Sequence, residues 1–157
     1  MKNLLILSIL VLALFSCTNN QSEQLTEELK TAIKQEVLEI NEKNVSSLNL
    51  LDVDAMSEFW NETELICVNS DYRHFDSYSQ FKDSVSTWFS NRESQSVTIK
   101  QANAEVLDVN LVLVTSILNW DITFKNGYKL NNDEPNSILW KKGEEGWKII
   151  FLHESWK

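Results

Sequence analysis

The stretch "ILWKKGEEGWKIIFLHESWK", residues 138–157, closes the chain and decides the fold. Two apolar runs, Ile138 to Trp140 and Trp147 to Leu152, flank Gly143-Glu144-Glu145-Gly146, whose glycines suit a short hairpin loop. Strict alternation on the last strand puts Ile149, Phe151, His153 and Ser155 on one face and Lys148, Ile150, Leu152 and Glu154 on the other. Both faces are apolar at their centre. One can cover helices. The other must meet something besides water, because a monomer rarely exposes a wide apolar sheet surface.

Upstream, "NLVLVTSILNWDITF" (residues 110–124) repeats the pattern, with Leu111, Leu113 and Ile117 opposite Val112, Val114 and Leu118. Sheet-to-sheet dimerisation accounts for two apolar faces; a strand buried in a larger monomer core is the competing account. From Ser94 onward the β-branched texture predicts strands divided near Leu107 to Asn110. Asn126-Gly127 is a hairpin signal, and "NGYKLNNDE" (residues 126–134) reads as a turn followed by a ragged segment. The first half is helical. Leu25, Leu29, Ile33, Val37, Ile40 and Val45 recur at helical spacing, predicting a helix from about residue 22 to 44. Asp52 or Asp54 can cap a short second helix carrying Ala55, Met56, Phe59 and Trp60. "ELICVN" (residues 64–69) reads as a strand and "SDYRHFD" (residues 70–76) as a loop. Ser77 and Gln80 have capping-box spacing at the start of a third helix, with Phe81, Val85, Trp88 and Phe89 as its apolar stripe. Helices first and a meandering antiparallel sheet afterwards make an α+β domain.

The order of elements and the closing residues resemble the nuclear transport factor 2-like superfamily. SnoaL-like relatives and the association domain of calcium/calmodulin-dependent kinase are the nearest branches. Trp140, Gly143, Gly146, Trp147, Lys148, Ile149, Ile150, His153 and Ser155 carry the likeness. It implies a cone: a strongly curved antiparallel sheet with helices packed on its concave face and a pocket at the open end. It does not imply an activity, since the superfamily includes isomerases, dehydratases, cyclases and non-enzymatic association modules.

Adjacent strand residues point to opposite faces, so His153 and Glu154 cannot form a catalytic pair with each other. His153 is expected in the cone and Glu154 on the convex side, near a dimer face formed with Ile150 and Leu152. Asp121, late in an apolar strand and beside Trp120, is the candidate acid. An imidazole and a carboxylate in an aromatic pocket could transfer protons near neutral pH. The competing reading places Asp121 at a solvated strand end and His153 as a half-buried histidine at the sheet end. Candidate pocket residues are Trp60, Tyr72, Trp88, Trp120, Trp140, Phe151 and His153, since large rings line apolar pockets well. A paired-histidine site would require His74 and His153 to converge.

The start, "MKNLLILSILVLALFSCTNN", is one lysine, an apolar run of signal-peptide length from Leu4 to Phe15, then Ser16-Cys17. Leu14-Phe15-Ser16-Cys17 resembles the bacterial lipobox, which implies cleavage after residue 16 and lipidation of Cys17. Residues 17–24 then form a polar tether and residues 25–157 the folded domain. Two or more acyl chains would anchor the protein stably in the cell envelope, facing the periplasm or the exterior. Cys67 is left without a partner in its own chain and reads as an unreactive thiol. No zinc-ligand spacing occurs. The net charge of -9 argues against nucleic-acid binding, which needs clustered Lys and Arg. The sequence therefore predicts a lipid-anchored, dimeric cone that binds a small apolar or amphipathic molecule or docks a partner, without catalysis or cofactor. The alternative is a cofactor-independent isomerase, cyclase or dehydratase using His153 and Asp121.

Overall fold

The computed structural model describes residues 25–70 and 73–155. The readings of Cys17 and its signal peptide, Tyr72 and the Cys67 thiol lie outside the described residues. Helix α1 spans Glu27–Leu48, capped by Thr26, whose Oγ1 accepts from the Leu29 amide at 3.2 Å. It ends four residues later than its apolar stripe predicts. Asn41, Asn44 and Ser47 continue the inward face with buried polar side chains, so the hydrophobic period fades while the helix goes on. Helix α2, Val53–Ser57, starts at the Asp52 cap, and α3, Tyr78–Ser90, at the Ser77 cap, as the spacing predicts.

Six strands follow the order β2-β1-β6-β5-β4-β3, with β1 Cys67–Ser70, β2 Arg73–Phe75, β3 Arg92–Asp108, β4 Leu111–Phe124, β5 Lys129–Gly143 and β6 Gly146–Glu154. Neighbours are antiparallel except β1 beside β6. The loop expected at residues 70–76 in fact holds β2, and the ragged segment after Asn126 is the first half of β5. Gly127 and Gly146 take φ of 83° and 91°, the left-handed region that tight hairpin turns demand. Pro135 sits in a central strand, where a missing N–H should break the ladder. Its carbonyl accepts from Ser155 at 3.1 Å, so its nitrogen also faces β6, just where that strand ends.

The inward face alternates strictly along β4: Val112, Val114, Ser116, Leu118, Trp120 and Ile122 are buried. Val112 and Val114 join Trp140, Trp147 and Ile149 in one core cluster closed by Ile33 and Val37 of α1 and by Phe81 and Val85 of α3, while Leu118, Trp120 and Ile122 form a second with Val97 and with Val45 of α1. Trp140 is completely buried.

Strand β6 departs from alternation. Trp140 pairs with Ile149 and Leu139 with Phe151, leaving Ile150 as a bulge. The chain before β1 holds it there: Ile149 donates to the Phe59 carbonyl at 2.7 Å, and Ile150 accepts from the Ile66 amide at 2.7 Å. A bulge adds one residue and so exchanges the faces beyond it. Before it, Trp147 and Ile149 point inward; after it, Leu152 and Glu154 do. The expected assignment is thereby reversed at the strand end. Leu152 and Glu154 belong to the cone interior and not to a dimer face. Ile150 is buried at the bulge. Phe151 and His153 lie on the outer side, with His153 exposed.

Candidate functional site

The cone interior holds a cavity of about 40 Å³ lined by Asn44, Val45 and Leu48 of α1, Met56, Trp60, Phe81, Leu118, Asn136, Ile138, Leu152 and Glu154. That volume admits roughly three water molecules or the polar end of a small ligand. Its walls are mostly apolar, but polar groups gather on one side. Asn136 and Glu154 are directly opposed on β5 and β6. Ser116 donates to Asn136 Oδ1 at 2.6 Å. Ser70 of β1 donates to Glu154 Oε2.

Glu134 completes the group. It stands two residues before Asn136 on the same face of β5 and opposite Leu118, another cavity residue. The side chain is fully buried, and neither carboxyl oxygen has an aligned hydrogen-bond partner. Burial, reinforced by the nearby Glu154 charge, pushes its pKa up to about 9. The Trp120 indole pulls the other way from a position short of good hydrogen-bond geometry. At neutral pH Glu134 is therefore a carboxylic acid, able to donate as well as accept. Asn41, also fully buried, has neither amide atom paired.

Arg92, at the start of β3, supplies a positive charge that Glu154 feels. Its guanidinium carbon lies 5.8 Å from the Phe89 ring centre and 5.6 Å from that of Trp120. It donates to Gln95 Oε1, while its Nε is buried without a partner. Burial lowers its pKa to about 10, with Glu154 partly opposing the shift, so it stays protonated near neutrality.

Of the sequence-predicted pocket residues, Trp60 lines the cavity and Trp120 adjoins Glu134. Trp140 is sealed core, and Trp88 packs against Phe81 with ring centres 6.2 Å apart. Phe151 and His153 are on the outer side, because of the bulge. Asp121 is also on the outer side and exposed, beside Asn131 and Ser96 in register. His153 is in register with Ser137 and hence Thr115, and Asp121 lies six residues farther along β4. That is roughly 20 Å away. His153 and Asp121 share neither a cavity nor a proton path. The two histidines do line one cleft, an open outer one of about 330 Å³ bordered also by Asn69, Ser70, Arg73, Glu154 and Ser155, so Glu154 stands between it and the interior cavity. There His74 is held by Asn69 Oδ1 at 2.7 Å and Asp76 Oδ1 at 2.8 Å.

Glu134, Asn136, Glu154 and Arg92 were missed as a constellation. One signal for them existed. Asn132, Glu134, Asn136, Ile138 and Trp140 recur at period two, a polar run continuing into an apolar one on the same face. The likeness to known proteins bears on this interior. The SnoaL-like domain model matches residues 37–157. The chain belongs to the SnoaL-like domain family. The matched span contains every residue of the cavity. No curated protein matches the chain. Among solved structures, a nuclear transport factor 2-like superfamily protein from Salmonella enterica aligns with TM-score 0.73 at 17% identity, covering 80% of this chain and 91% of that one. The association domain of C. elegans CaMKII aligns at TM-score 0.65 and 11% identity, covering 81% and 98%. The S. rosetta CaMKII hub gives 0.61 and 17%, covering 78% and 95%. These likenesses establish the SnoaL-like cone.

Proposed function

We propose that this SnoaL-like domain is a lipid-anchored binding module of the cell envelope, holding a small molecule inside the cone without transforming it. The observation that carries the reading is Glu134, a fully buried carboxyl with no aligned partner beside a cavity. A buried polar group left unmatched costs about 1–3 kcal/mol, and natural chains seldom keep one without a use. Asn41 and the Arg92 Nε add unmatched groups in the same interior. Native mass spectrometry of the full chain released from detergent tests the proposal. A copurified small molecule lost in Glu134→Leu supports it; an empty wild-type protein contradicts it.

The outer face supports self-association. Leu113, Leu139 and Phe151 stand in register on β4, β5 and β6 and are only half-buried. This row, in place of Ile150, Leu152 and Glu154, is the dimer face of the proposal, and the CaMKII association domains among the structural neighbours are compatible with it.

A second reading has its own observation. Glu154 lines the cavity and Glu134 lies beside it, two neighbouring carboxyls whose environments differ, the arrangement that separates an acid from a base. An enzyme of this family would then use Glu134 as proton donor and Glu154 as acceptor, in place of His153 and Asp121. Turnover lost in Glu134→Gln with ligand retention unchanged would favour it.

A further inference from the structure

Resting on the binding reading above, we propose that the cone cavity docks a neutral carboxamide head, a primary amide or the edge of a cis-lactam, between Asn44 of α1 and Asn136 of β5. Both side chains line the cavity. Each is only 6% exposed, so bulk water does not satisfy them. Asn136 Oδ1 is taken by the Ser116 hydroxyl at 2.6 Å, which leaves the Nδ2 hydrogens without a partner among the described residues. Ser47 donates to the main-chain carbonyl of Asn44 at 2.7 Å, while the Asn44 side chain has no hydrogen-bond partner among the described residues. A buried amide left unmatched opposes folding, and a cavity resolves the cost by taking up a matching group.

Donors and acceptors select the head. Asn136 offers donors alone, whereas Asn44 offers donors and an acceptor on one planar edge. A carboxamide carries that same edge, so its oxygen and N–H pair reciprocally with the N–H and oxygen of Asn44. The second lone pair of its oxygen then receives Asn136 Nδ2. A ketone leaves the Asn44 oxygen unmatched, and a hydroxyl has a single hydrogen to give. The wall asks for no charge. Glu154 also lines the cavity, but it accepts from the Ser70 hydroxyl and is in electrostatic contact with Arg92, so both signs are already present. A carboxylate head would face Glu154, and an ammonium would forfeit its hydration for a carboxylate that is already matched. Size agrees. The cavity of about 40 Å³ equals roughly three water sites, and the carbon, oxygen and nitrogen of a carboxamide fill the same space. Met56, Trp60 and Leu152 furnish apolar wall for the carbon chain behind the head.

The test sets acetamide against ethanol, acetate and ethylammonium, similar in size and different in head group, on the full chain in a nonionic detergent. The side-chain NH2 resonances of Asn44 and Asn136 report entry. Acetamide should move both and bind about tenfold tighter than each of the other probes, the scale of one additional hydrogen bond or two. Asn136→Leu should weaken acetamide by about the same factor. Should that variant not fold, Asn44→Leu should give the same loss and also raise the urea midpoint, because an apolar side chain replaces an unmatched amide. A lowered midpoint assigns Asn44 to structure and overturns the proposal. Equal or tighter binding of another probe overturns it too, as does acetamide binding unchanged in both variants. A molecule retained in native mass spectrometry while all the probes are silent overturns the carboxamide assignment alone. Silent probes with no retained molecule overturn the binding module as well.

Discussion

Strand β5 has two halves on one inward face. Ile138 and Trp140 pack into the apolar core, whereas Glu134 and Asn136 carry polar groups into an equally buried place and Asn132, before them, is half-buried. Both halves are paired to β4 without a register break, so backbone does not distinguish them. Side-chain chemistry does. The apolar half gains from removal of water, while the polar half bears a desolvation cost that a single cavity and a bound molecule could offset. Stability and binding are thus written into successive segments of one strand.

The comparison is broken most visibly at the apolar end. Trp140→Ala should destabilise the fold by about 3–5 kcal/mol, read by urea denaturation, because a completely buried ring leaves a cavity behind. A loss below 1 kcal/mol would remove the distinction between the halves. The polar end should respond with the opposite sign. Glu134 has a folded pKa near 9 against 4.5 for the ordinary side chain, so the folded state holds the proton that the unfolded state gives up between these values. Its contribution is most favourable below pH 4.5 and is lost as pH rises toward 9, at about 1.4 kcal/mol per unit within that window. Glu134→Gln should therefore flatten the pH dependence, removing a fall of about 1.4 kcal/mol per unit, and stabilise the protein at pH 8, measured by the same denaturation. Destabilisation at that pH would count against a buried acid.

A smaller effect sharpens the account of Glu154. Ser70→Ala removes its hydroxyl donor and should cost about 1–2 kcal/mol at pH 7, the usual scale for a hydrogen bond to a charged group. The smallest concerns the residue that first drew attention. His153→Ala should change stability by less than about 0.5 kcal/mol and leave ligand retention intact, since its side chain is exposed outside the cone. On the outer face, Leu139→Glu should yield monomers with an unchanged fold by sedimentation.

Much of the fold was legible because its signals are local. The Ser77 cap, the Asn126-Gly127 turn and the alternation along β4 each follow from a few neighbouring residues. The site was not legible for two physical reasons. Ile149 to Leu152 is apolar throughout, so its pattern cannot reveal a bulge, and the bulge depends on hydrogen bonds from residues 59–66 that lie far away in sequence. One extra residue then moved Glu154 in and His153 out. Glu134 was obscured differently: Asn131, Asn132 and Pro135 read as turn residues, although they form the start of a long strand. Asn41 and Asn44 lie on the inward stripe of α1, where a search for apolar residues passes over them.

The central claim is that Glu134 remains a carboxylic acid inside the cone at neutral pH. Carbon-13 NMR of the glutamate carboxyls across a pH titration measures this directly, with Glu134→Gln assigning the signal. A resonance in the protonated range at pH 7, titrating near 9, is the result predicted. A Glu134 carboxyl already ionised at pH 6 would contradict it.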